Sequence, residues 1–117
     1  MTNAELRDFI LSQTDLKKEK ITLFGKEMYV RETTAKERDI YERSMLDKEG
    51  KVKLPDNYKA KLLVKVIISK DGERIFKDTD VNILGNLSSK EMDRLFKLCQ
   101  DLSGENEKAV KEAEKNS

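Results

Sequence analysis

Apolar residues along this chain recur at two spacings, three to four residues and two, and those periods predict its elements. Leu6, Phe9 and Ile10 share one stripe of a helix over about residues 4–13, with Asn3 as its cap. The β-prone runs Lys20-Ile21-Thr22-Leu23-Phe24 and Glu27-Met28-Tyr29-Val30-Arg31 flank Gly25-Lys26. Together they predict a hairpin, with Gly25 supplying the positive φ of a type II′ turn. Thr34 and Glu37 have capping-box spacing, so a helix starts there and runs to about Leu46 with Ile40, Tyr41 and Met45 inward.

Residues 47–57 are polar, hold the single proline and predict a surface loop, with Asp56 or Asn57 starting the next helix. Residues 58–69 are the most apolar segment. Tyr58, Leu62 and Val66, and Leu63 and Ile67, follow helical spacing, and length favours a helix. Their β-branched content and the following Asp71-Gly72 also permit a strand and hairpin; on the helical reading Gly72 lies near the helix end. Asp78 caps a short helix containing Val81, Ile83 and Leu84, ended by Gly85. A second capping box, Ser88 with Glu91, opens a helix bearing Met92, Leu95, Phe96, Cys99 and Leu102, and Gly104 stops it. The expected fold is α+β, a predominantly helical small domain over residues 1–104 with one N-terminal β-hairpin. A polar tail over 105–117, with helical character, follows it.

Composition narrows the chemistry. Of 117 residues, 37% are hydrophobic and 40% charged, which predicts a small core under a heavily charged surface. With 24 basic and 23 acidic residues the net charge is +1, and such balance argues against a dedicated nucleic-acid binder. The local exception is residues 48–70, where Lys48, Lys51, Lys53, Lys59, Lys61, Lys65 and Lys70 face only Glu49 and Asp56. That stretch keeps a nucleic-acid-associated or regulatory role as the alternative, though only Tyr58 is interleaved for stacking.

There is no histidine, which removes the commonest general base and every Ser-His or Cys-His nucleophile arrangement. The five glycines each stand alone at a turn or helix end, so no phosphate loop exists. Asp78-Thr79-Asp80-Val81-Asn82 begins like a calcium loop, but Ile83 and Ser89 occupy the positions that need Gly and Glu. Asn86-Leu87-Ser88 is a glycosylation sequon by letter only. The lone cysteine, Cys99, allows no intramolecular disulfide and reads as a buried, inert thiol on an apolar stripe. No cofactor or metal is expected, and no enzyme. The start Met1-Thr2-Asn3-Ala4-Glu5 lacks a secretory signal, and the longest apolar run, residues 62–68, is too short for a bilayer. A soluble, intracellular protein is the expectation.

Four stretches in succession resemble a known family. They are Tyr29-Val30-Arg31-Glu32-Thr33-Thr34-Ala35-Lys36-Glu37-Arg38 after the hairpin; Ala60-Lys61-Leu62-Leu63-Val64; Ile67-Ile68-Ser69-Lys70-Asp71-Gly72-Glu73-Arg74-Ile75-Phe76-Lys77-Asp78-Thr79-Asp80-Val81; and Leu84-Gly85-Asn86-Leu87-Ser88-Ser89 through Met92-Asp93-Arg94-Leu95-Phe96, closing on Leu102-Ser103-Gly104. In this order they resemble the small tail assembly chaperones of long-tailed phages and prophages of Gram-positive hosts, over roughly residues 20–117.

The resemblance implies a protein that binds the tape measure protein in the host cytoplasm and is absent from the mature virion. It also implies a longer form, made by frameshifting near Glu114-Lys115-Asn116-Ser117, that engages the tail tube protein. A coat for such helices needs an exposed apolar groove and a charged outside. Leu95, Phe96, Cys99 and Leu102, with Leu63 or Ile67 beside them, are the candidate partner-binding residues. The same stripe also serves as core, and a small helical protein can hide it by forming homo-oligomers.

Overall fold

The computed structural model describes residues 1–104. The expectations for residues 105–117, a polar helical tail and a frameshift site, lie outside the described residues. Element order is α1 (Asn3–Ser12), β1 (Lys18–Leu23), β2 (Lys26–Arg31), α2 (Ala35–Ser44), α3 (Tyr58–Val66), β3 (Ile67–Ile68), a 3₁₀ turn (Asp78–Asp80), α4 (Val81–Leu84) and α5 (Ser89–Leu102). The α+β architecture is as expected.

Local capping accounts for most helix starts. At α2 the Glu37 N–H donates to Thr34 Oγ1 (3.1 Å) and the Thr34 N–H to Glu37 Oε1 (2.9 Å), which closes the box. At α1 the cap is Thr2 rather than Asn3. Thr2 and Glu5 form the same reciprocal pair, and Asn3 is the first helical residue. Ser88 caps α5 by accepting the Glu91 N–H at 3.3 Å, but the Glu91 carboxylate turns to Arg94 at 2.7 Å, so only half of that box forms. The turn before α4 is held by Asp80, whose carboxylate accepts the Lys77 N–H at 2.8 Å; Asp78 pairs with Arg74 instead of capping. Asn57 precedes α3 as expected, but in a left-handed conformation, and its side chain makes no cap.

The hairpin turns one residue earlier than the glycine suggested. Leu23 pairs with Lys26, so Phe24 and Gly25 are the central residues. Both have positive φ, 52° and 79°, the type I′ arrangement rather than type II′. Phe24 is a costly occupant of a left-handed position and is 73% exposed, so no packing offsets that cost. Phe24→Asn is therefore expected to raise stability by about 1 kcal/mol. Urea unfolding of the two proteins checks it, and an unchanged or lowered midpoint refutes it.

Residues 58–69 satisfy both readings in turn. The helix ends at Val66, and Ile67–Ile68 turn extended to pair antiparallel with Val30 and Tyr29 of β2. A three-stranded sheet, β1-β2-β3, results. Two distant arginines terminate α3 by taking carbonyls that a helix end leaves open: Arg74 Nε donates to Val64 O and Arg31 Nη2 to Lys65 O, each at 3.0 Å. Gly72, at φ 89°, belongs to the turn after β3, where the Ser69 N–H donates to Glu73 O at 2.8 Å.

The core lies between the sheet face carrying Ile21, Leu23 and Val30, the inner faces of α3 and α5, and Leu84 of α4. Phe96 sits edge-on to Tyr58 with ring centroids 5.8 Å apart, and Tyr41 lies 6.1 Å from the same ring. No polar side chain is buried without a partner among the described residues.

Candidate protein-binding surface

The six residues nominated from the sequence are brought together, but inside the body. Leu63, Ile67 and Leu95 have no exposed surface, Cys99 and Phe96 are buried, and Leu102 is half-buried at the border of the core. A side chain without accessible surface offers nothing to a partner in this conformation. Their evident work is to hold α3 and α5 against the sheet.

Apolar surface that remains in water lies elsewhere. The first such region is α1, none of whose residues is buried. Leu6, Phe9, Ile10 and Leu11 are between 46% and 63% exposed. A ten-residue helix is marginal by itself, and an amphipathic one normally orders against a partner surface.

The second region is a cleft of about 240 Å³ between α2, α3 and the 3₁₀–α4 corner. Its walls include Ile40 and Tyr41 from α2, Tyr58, Leu62 and Val64 from α3, and Val81 from α4. Ile40 was expected to face inward; it is 48% exposed, because α2 stands off α3 and leaves the gap between them open.

Charge at the cleft rim comes from Glu37, Lys61, Lys65 and Asp78. Both carboxylates are already engaged. Arg31 grips Glu37 with two 2.8 Å hydrogen bonds, and these bonds, with help from the Thr34 cap, hold the Glu37 carboxyl down at about 2 despite its partial burial. The same pairing raises the Arg31 guanidinium further above its ordinary value. Arg74 donates to Asp78 at 2.7 Å and lowers that carboxyl, with Lys65 adding a weaker pull.

The lysines of residues 48–70 do not act as one group. Lys59 is paired with Asp93, which raises its pKa, and lies over the rings of Tyr58 and Phe96. Lys61 and Lys65 border the cleft, while Lys48, Lys51 and Lys53 sit in the loop before α3. No helix among the described residues is long and apolar enough to cross a membrane.

The cleft is not legible in the pattern of apolar residues. Periodicity marks the stripe of a helix but not whether a neighbour covers it. The signal within reach was a surplus: α1 and α2 both carry apolar stripes, and one small sheet with two helices already fills the core.

The comparisons with known proteins agree with this architecture. A family model described as phage tail assembly chaperone matches residues 7–116. Among solved structures, that of the bacteriophage HK97 tail assembly chaperone aligns with a TM-score of 0.63 over 91% of this chain and 100% of that one. At 13% identity that likeness is one of fold. No curated protein matches the sequence.

Proposed function

We infer the role of this protein from family and surface together: the chain belongs to the phage tail assembly chaperone family. On that premise we propose that it binds the tape measure protein and keeps it soluble until the tail assembles. In this reading it acts in the bacterial cytoplasm, without catalysis, and is absent from the finished virion.

One observation supports the reading most. The core is complete, yet ordered helices hold Leu6, Phe9, Ile10, Leu11 and Ile40 in water. Such a surface suits a partner whose helices carry apolar stripes and would otherwise aggregate. Charged residues, 40% of the chain, keep the pair dissolved. The six residues nominated by pattern, five of them buried and Leu102 half-buried, support this surface; the buried five would themselves reach a partner only if α5 left the sheet. A longer form extended beyond residue 117 would bring the tail tube protein to the same complex.

Co-expression tests it. The intact chain is expected to keep the tape measure protein in the soluble fraction. Ile40→Asp, or Leu6→Asp with Phe9→Asp, is expected to leave it in the pellet while the chaperone stays folded by circular dichroism. Full rescue by both folded variants removes α1 and the cleft from the site, and failure of the intact chain to rescue refutes the role.

A further inference from the structure

We infer that the α2–α3 cleft selects helices whose apolar stripe is bordered by carboxylates, with Lys61 and Lys65 as the residues that read them. This deepens the proposed binding of tape measure helices and rests on it.

The apolar wall accepts any greasy helix, so discrimination falls to the rim. Four cations and two acids meet there: Arg31, Arg74, Lys61 and Lys65 against Glu37 and Asp78. Arg31 occupies both oxygens of Glu37, and Arg74 sits on Asp78 at 2.7 Å. The arginines therefore consume the acids, and the two lysines leave the mouth positive by two charges. Among the described residues, neither lysine makes a side-chain hydrogen bond or ion pair. Lys65 acts on Asp78 only through space.

Position adds to charge. Lys61 and Lys65 are one turn apart on α3, so their charges line the cleft about 6 Å apart along the helix axis. A guest helix laid in the cleft meets both when its own carboxylates are three or four residues apart beside the stripe. Lysines at those guest positions would meet like charge instead, and contact of like charges works against the wrong partner more than attraction favours the right one. Partly exposed pairs of this kind are each good for a few-fold in affinity, so two give roughly tenfold discrimination at low salt. Salt screens the difference.

Two synthetic helical peptides test this. They share one leucine stripe and differ only in flanks, glutamate in one and lysine in the other; each is titrated against the full chain by fluorescence anisotropy. The glutamate peptide is expected to bind roughly tenfold tighter at low salt, with the gap closing as salt rises. K61Q/K65Q should erase the preference, K61E/K65E should invert it, and Ile40→Asp should weaken both peptides. Equal affinities for the intact chain, or a preference that survives K61Q/K65Q, overturn the inference while leaving tape-measure rescue standing. Persistence of glutamate-peptide binding in Ile40→Asp places the attraction outside the cleft and also overturns it. So does duplex DNA displacing the glutamate peptide, since the lysines would then serve a phosphate backbone. Loss of tape-measure rescue by the intact chain is a separate result and refutes the parent reading.

Discussion

Leu95→Ala is expected to lower the unfolding free energy by roughly 2–5 kcal/mol, a large share of what a domain of this size has. Leu95 has no exposed surface and sits on α5 among the cluster formed by the sheet, α3 and α5. Truncation removes its methyl contacts and leaves a cavity that two helices and a sheet cannot readily close. The urea midpoint, with the slope unchanged, measures it. A loss under about 1 kcal/mol would mean that α5 does not dock on α3 and β2 in this way.

The same burial changes how the stripe on α5 can be probed. Leu95→Asp or Phe96→Asp would strand a carboxylate in the core and unfold the chain, so loss of rescue there would report folding, not binding. Ile40→Asp, at a half-exposed site, separates the two. Its unfolding midpoint should stay near that of the intact chain.

The second large effect comes from the Arg31–Glu37 pair. With side chains only 15% and 20% exposed, it ties the end of β2 to the start of α2, and Arg31 reaches on to Lys65 O at the end of α3. Glu37 titrates at about 2 against an ordinary 4.5, chiefly because Arg31 hydrogen-bonds its charged form. A carboxyl with a depressed folded value stabilises the fold fully above the unfolded value and loses that contribution as pH falls through the folded one.

Stability from this pair is therefore expected to be intact above about pH 4.5 and to fade between there and about pH 2, by an amount on the order of 2–3 kcal/mol. Glu37→Gln should show that loss already at neutral pH and then a flatter acid limb, because glutamine keeps the shape without the charge. Urea unfolding at neutral and acid pH separates the cases. Parallel acid limbs for the two proteins would mean that the pair does not govern them. The prediction bears on function as well, since Glu37 lines the cleft and α2 carries Ile40.

Elements whose causes are local were legible in the residues. Thr34 and Glu37 lie three apart and satisfy each other's amides whatever surrounds them, so the start of α2 reads directly. The stripe on α5 could be read because four of its five apolar positions are buried by one core. Near misses arose where an adjacent residue takes the part that the pattern assigned to its neighbour. Thr2 caps α1 in place of Asn3, and the hairpin turns at Phe24-Gly25 in place of Gly25-Lys26. No local rule would put a phenylalanine at positive φ; the pairing of Leu23 with Lys26 and of Ile21 with Met28 places it there.

By itself, then, the sequence determined the α+β class, most helix limits, the inward face of α5 and the absence of histidine chemistry. All of these depend on residue identity or on neighbours within a turn of helix. Only the tertiary structure decided that α3 stops at Val66, that Ile67–Ile68 become a third strand, and that Ile40 rather than Leu95 or Leu63 meets water. These outcomes hang on contacts between distant segments: Val30 pairing with Ile67, and Arg31 and Arg74 reaching the last carbonyls of α3. An apolar side chain carries the same drive to leave water wherever it stands, and only the placement of its neighbours determines whether it succeeds.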